Sequence, residues 1–110
     1  MKNFNEKLNE FIEKVNEKLD ETKCVAICSD YGSSFVKLVL TYKAEGVVRR
    51  TAFAFIAKWK ADDHKLKRYE SGDIFAAAGW DKIALHKRGS IFDPNCMDCV
   101  TEIGIGPYKG

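Results

Sequence analysis

The sequence predicts an α+β fold, in which an N-terminal amphipathic helix packs on an antiparallel sheet of about four strands and an irregular, basic C-terminal segment follows. Three observations predict this fold class. Apolar residues recur at helical spacing near the N-terminus, strand-like apolar runs fill the middle, and the pattern loosens after Trp80. A length of 110 residues fits a single domain, residues 1–110, with one core.

The helix gives the clearest of these signals. Its apolar residues follow one another at intervals of three and four, which places them on one stripe. The remaining faces carry Glu and Lys, with like charges at pairs such as Glu6 and Glu10, so surface charge adds little stability. A helix of this length is marginal in water alone, and its repeat is short for a coiled coil, so we expect it to cover the sheet. The stripe comprises Phe4, Leu8, Phe11, Ile12, Val15 and Leu19.

Three strands are predicted next. Residues 24–28 and 35–42 form a hairpin around the turn-rich segment 29–34, and residues 47–59 form a long third strand after a second turn. Strand residues point alternately to the two faces of a sheet. Strict alternation therefore places one set of third-strand residues on one face and the intervening set on the other. The first set is Phe53, Phe55, Ala57 and Trp59, and the second is Ala52, Ala54, Ile56 and Lys58.

The C-terminal half is less regular. Residues 58–71 form a polar interruption, and residues 74–80 read as a fourth strand, although the alanine run also suits the start of a helix. Residues 82–88 form a helical turn or a basic loop. A break follows at residues 93–95, and residues 100–105 form a short edge strand.

The cysteines and the N-terminal segment indicate a cytoplasmic protein. Charged residues occur every few positions near the N-terminus, with no apolar run of the kind that a signal peptide or a membrane span requires. The four cysteines are therefore expected to be reduced thiols or metal ligands rather than disulfides.

One stretch resembles a family of small, uncharacterised tailed-phage proteins. The resemblance rests on Gly72-Asp73-Ile74-Phe75-Ala76-Ala77-Ala78-Gly79-Trp80 and on Lys87-Arg88-Gly89-Ser90-Ile91-Phe92-Asp93, with residues 51–57 similar to the partner strand. The family pattern has Lys at the place of Ala76, a proline-containing segment at residues 83–85 and a shorter turn at residues 58–71. The resemblance implies a phage or prophage origin, a location in the host cytoplasm and an accessory viral role.

Basic residues near aromatic side chains are the candidate nucleic-acid site. Cations that neutralise phosphates, combined with rings on which bases stack, are typical of single-strand binding, although a lone charge run is more often a solvated surface. A net charge of +2 is too small for binding duplex nucleic acid through a whole face, so we expect the local clusters to gather on one side of the sheet. The candidates are Arg49, Arg50, Lys58, Trp59, Lys60, Lys65, Lys67, Arg68, Lys82, Lys87 and Arg88.

A zinc ion is the alternative candidate ligand. Cys96 and Cys99 have the spacing that lets two thiolates bind one zinc ion, but a structural site needs two more ligands. Cys24 and Cys28 lie about 13 Å apart on a straight strand, so they cannot both bind the ion unless the chain bends, and His64 or His86 could complete the site. Reduced, partly buried thiols are the simpler interpretation.

No sequence signature indicates an enzyme. The chain lacks a phosphate-binding Gly-Lys-Ser/Thr loop, a Gly-x-Ser-x-Gly elbow and a His-Glu-x-x-His motif. The leading hypothesis is an accessory phage protein that contacts nucleic acid or a host nucleoprotein complex. An inhibitor of host defence fits that description. The alternatives are a module that blocks a host protein through an apolar and aromatic surface, and a small zinc-stabilised structural protein.

Overall fold

The structure, a computed structural model, describes residues 3–28, 34–58, 61–63, 67–84, 86–101 and 104–106. Helix α1 (Phe4–Lys18) comes first. The strands are β1 (Lys23–Ile27), β2 (Phe35–Ala44), β3 (Val47–Ala57), β4 (Ala61–Asp63), β5 (Lys67–Tyr69), β6 (Asp73–Gly79), β7 (Lys82–Ile83), β8 (Gly89–Ser90), β9 (Val100–Thr101) and β10 (Gly104–Ile105), with a 3₁₀ turn at Cys96–Cys99.

The predicted helix is confirmed, and so is its packing on the sheet. The side chain of Asn3 caps the first turn by accepting a hydrogen bond from the Glu6 N–H at 2.9 Å. The helix ends at Leu19, where the backbone becomes extended. Of the apolar stripe, Leu8, Phe11, Val15 and Leu19 are buried, and Phe4 and Ile12 pack against the same core.

The main sheet has six strands rather than about four. Its order is β1-β2-β3-β6-β7, with β8 also paired to β6, and every pairing is antiparallel. The additional strands come from the segments after Trp80, where β7 and β8 have two residues each. Two residues cannot show an alternating pattern, so sequence periodicity does not reveal such strands.

A β-bulge in β3 changes which residues share a face. Leu38 pairs with Ala54, whereas the next residue, Val39, pairs with Ala52, so Phe53 is the extra residue. Phe53 therefore packs in the core under the helix with Ala54, and Phe55 points to the other face. The prediction that Phe53 and Phe55 share a face is wrong, because strict alternation does not hold across a bulge.

The sheet face opposite the helix carries its own aromatic cluster. The rings of Phe35, Tyr69 and Phe75 lie with centroids 5.2 to 6.1 Å apart, and Phe55 is buried beside them. Tyr69 comes from the β4–β5 hairpin, which forms a separate two-stranded sheet. Part of the predicted polar interruption is therefore a structured hairpin that contributes a buried ring.

The C-terminal segment returns to the helix side of the sheet. Cys96 and Val100 are buried in the same core as the helix, and Ile105 packs against it. Strands β9 and β10 pair only with each other among the described residues, so the expected edge strand at residues 100–105 is instead a small hairpin. No helix in the described ranges is both long enough and apolar enough to cross a membrane.

Candidate binding surface

The two consecutive arginines of β3 lie on opposite faces of the sheet. Arg49 pairs with Tyr42 on the helix side, and Arg50 pairs with Thr41 on the other side. Both side chains are exposed. The arginines therefore cannot contribute to one common surface.

The remaining predicted cations are also dispersed. Lys58 follows the far end of β3, about 30 Å from Arg49 at the rise of an extended strand, and it lines a groove beside Phe4 and Leu8 of the helix. Lys87 lies 3.8 Å from the carboxylate of Asp73. These positions contradict the expectation of one continuous basic face.

Arg88 and Lys82 are the two remaining predicted cations whose side chains the structure describes. The Arg88 guanidinium donates hydrogen bonds to the backbone carbonyls of His86 and, at 3.1 Å, of Gly106. Lys82 is exposed at the start of β7. The backbones of Lys67 and Arg68 belong to β5, but their side chains lie outside the described part of the chain, as do Trp59, Lys60, Lys65 and His64.

Trp80 forms a cluster that the sequence analysis missed. Its ring lies over the ammonium group of Lys37, 3.5 Å from Nζ to the ring centroid, and Arg50 Cζ lies 5.9 Å from the same centroid. Lys37 is 1% exposed, and its Nζ also forms an ion pair with Asp81 Oδ1 at 2.9 Å. The ring contact and the ion pair thus hold the β6–β7 turn against the sheet face opposite the helix.

Lys37 is buried because of its place in β2. It lies between Phe35 and Val39 on that face, pairs with Phe55, and belongs to a strand that is buried from its first residue to Leu40. The sequence did contain a signal for this cluster. It has a lysine in the middle of an apolar strand and a Trp-Asp turn after a later strand. Strand order, which the sequence did not give, brings the two together.

The exposed part of this cluster is a candidate binding surface. Trp80 remains 45% exposed, and Val48, two residues before Arg50 on the same face, is 57% exposed. Arg50 forms no ion pair with any described residue, so its charge is available to a partner. We call Val48, Arg50 and Trp80 the Trp80 surface. A shallow groove between Ala52, Ala77 and Trp80 adjoins it.

The paired cysteines have the properties of structural thiols. Cys96 is buried, Cys99 is half-buried, and the Cys99 thiol donates to the Cys96 carbonyl at 3.3 Å. Burial raises the pKa of both thiols, which disfavours the thiolate form that binds metal. Within the described ranges no group of three or more His, Cys, Asp and Glu residues could hold a metal ion. Cys24 is exposed and Cys28 is half-buried, and the zinc site stays a prediction.

Comparison of the chain with known protein families, with curated proteins and with solved structures found no match.

Proposed function

We propose that the chain is an accessory binding protein that docks another protein on the Trp80 surface. The observation that carries this proposal is a half-exposed tryptophan fixed in place by a buried lysine and next to an exposed arginine that has no carboxylate partner among the described residues. Tryptophan and arginine are the residue types most enriched where protein interfaces concentrate their binding energy. The resemblance to small tailed-phage proteins supports a host protein as the partner.

The positions of the charges favour a protein over nucleic acid. A nucleic-acid interface gains affinity from several cations that neutralise successive phosphates. Here Arg49 and Arg50 lie on opposite faces, and Asp81 neutralises Lys37. The Trp80 surface therefore combines one exposed cation with apolar area, which suits a partner with an apolar patch and an acidic group.

Contact with nucleic acid is the second candidate function. It is favoured by the pairing of Trp80 with Arg50, because a ring beside a cation can stack a base and hold its phosphate. Such a contact would be weak and sensitive to salt, since stacking contributes about 1–3 kcal/mol per base.

Co-purification from infected host cells tests the first proposal. Tagged wild-type protein, Trp80→Ala and Arg50→Ala are compared with Glu13→Ala, a control at an exposed position on α1. We expect one host protein to be recovered with the wild type and the control and to be lost with Trp80→Ala. Circular dichroism checks that every variant is folded.

An electrophoretic titration separates the two candidates. Single-stranded and duplex DNA and RNA are titrated with wild-type protein at two salt concentrations. Binding that weakens with salt and disappears in Trp80→Ala would replace the protein partner with nucleic acid. If Trp80→Ala changes neither co-purification nor nucleic-acid binding, the Trp80 surface is not the binding site.

A further inference from the structure

Strand β1 forms one edge of the main sheet, and one side chain binds its outward backbone groups. Val25 pairs with Leu40 of β2, yet its N–H donates to Asn16 Oδ1 at 2.8 Å and its carbonyl accepts from Asn16 Nδ2 at 3.1 Å. Both backbone groups of Val25 therefore point away from β2, towards the open edge. Asn16 belongs to α1 and follows Val15, which is fully buried against the sheet.

The same orientation recurs at every second residue of the strand. In an antiparallel pair, residues alternate between those that bond their partner strand and those that point away from it. The Cys28 N–H donates to the Lys37 carbonyl at 2.8 Å, so Cys28 belongs to the bonded set and Ile27 to the outward set. An edge with a row of outward N–H and C=O groups is a template for another strand.

We propose that Asn16 closes this edge against strand addition by a second copy of the chain. A carboxamide presents one acceptor and one donor, which are the groups that the backbone of an added strand would present to Val25. While Asn16 occupies both groups, an incoming strand would have to displace two hydrogen bonds. The rest of the edge is only partly protected: the Lys23 N–H donates to the Asp20 carbonyl at 3.1 Å, whereas Ile27 is 47% exposed and Lys23 is the one charged residue of β1.

A second copy fits the opened edge through the pairing of β1 with itself. Two antiparallel β1 strands related by a two-fold axis at Val25 would exchange both hydrogen bonds between the two Val25 residues. Ile27 of each copy would then lie opposite Lys23 of the other. Such a contact uses the same surface on both copies, so it closes at a dimer.

Sedimentation of four variants tests the proposal over a range of protein concentrations. Asn16→Ala should strengthen self-association about tenfold or more relative to wild type, because the freed Val25 groups find partners in the second copy. The double variant Asn16→Ala with Ile27→Pro should return to the wild-type mass. Proline removes an outward N–H and costs no bond to β2. Glu17→Ala, an exposed neighbour on α1, should match the wild type.

The results that would overturn the proposal are distinct. One is a folded Asn16→Ala variant that sediments as the wild type does, and the other is association that Ile27→Pro leaves unchanged. Hydrogen exchange in the wild type is a test that does not depend on a variant folding. We expect the Val25 amide to exchange more slowly than that of Ile27, and equal rates would show that Asn16 does not close the edge.

Discussion

Lys37 and Asp81 form an ion pair whose two members have very different surroundings. Lys37 is 1% exposed, whereas the side chain of Asp81 is 71% exposed. A buried charge depends on its partners much more than an exposed one does. The pair also positions Trp80, since the ring lies directly over the Lys37 ammonium group.

Substitution of the two partners should therefore have unequal effects. Asp81→Asn withdraws a carboxylate from a buried cation, and we expect the free energy of unfolding to fall by about 1–2 kcal/mol. Lys37→Met leaves only an exposed carboxylate and fills a similar volume, so the free energy of unfolding should fall by less. Tryptophan fluorescence, to which Trp59 and Trp80 both contribute, should shift to the red as the turn loosens. Urea denaturation measures both losses. Equal losses would contradict the argument from exposure.

The thiols of Cys96 and Cys99 predict a loss of stability in alkali. Burial raises the pKa of both above the ordinary thiol value of 9.0, so the unfolded chain releases these protons at a lower pH than the folded protein does. The stability that the two neutral thiols contribute is fully present below pH 9, and it is lost as pH rises through their pKa values in the folded protein. Unfolding measured at pH 8 and pH 10 should show a steeper fall for wild type than for a Cys96→Ala, Cys99→Ala variant. Parallel curves would contradict this.

At the scale of single elements, two turns depend on glycine to different degrees. Gly46, in the β2–β3 turn, has a φ of +77° and nothing within 4 Å of an added Cβ. Gly72, before β6, has a φ of +91°, and an added Cβ would lie 2.6 Å from the Phe92 ring. Its N–H also bonds the Ala57 carbonyl at 2.7 Å, which joins the turn to the end of β3.

Alanine substitution at these turns should separate backbone strain from steric overlap. Gly46→Ala adds only the strain of a left-handed backbone conformation, and we expect the free energy of unfolding to fall by about 1–2 kcal/mol. Gly72→Ala should lower the free energy of unfolding by more than that. The Phe92 ring must move, and the side chain of buried Ile91 lies 3.2 Å from the added Cβ. Thermal or urea unfolding compares the two variants. A smaller loss at Gly72 would show that Phe92 moves at no cost.

Some elements were predictable from sequence and others were not. The difference depends on how long each element is and on which strand it pairs with. The helix was predictable because six apolar positions repeat over four turns, and β2 because its alternation continues from Val36 to Tyr42. Strands β7 and β8 were missed because two residues carry no period. The bulge was missed because Phe53 is apolar on either face.

The candidate site was less predictable than the fold. The sequence groups residues by proximity along the chain, and this favoured the basic clusters around residues 58–68 and 82–88. The Trp80 surface joins residues from β3 and from the β6–β7 turn, with Lys37 of β2 beneath it. Only strand order and register bring such residues together.

Across the whole molecule, two buried clusters share one sheet. The helix-side cluster uses Leu38, Ile56 and Ile74, and the opposite cluster uses Phe35, Phe55 and Phe75, so β2, β3 and β6 belong to both. Neither cluster can lose its packing without loosening the strands that support the other.

This shared sheet predicts a single unfolding transition. Far-ultraviolet circular dichroism, which follows the helix and the sheet, and tryptophan fluorescence should give the same urea midpoint. Separate midpoints would contradict a single transition and show that the surroundings of the tryptophans unfold apart from the helix and sheet.

The bulge at Phe53 keeps Arg50, rather than Arg49, on the same side of the sheet as Trp80. If β3 kept Phe53 and alternated strictly through it, counting back from Phe55 would direct Arg49 towards the tryptophan and turn Arg50 and Val48 to the helix side. Because Val39 already pairs with Ala52, loss of the Phe53 codon would remove the bulge and leave Arg50 on the same side as the indole. The chemistry presented beside the indole is therefore set by a local irregularity of one strand as much as by the identity of the residues there.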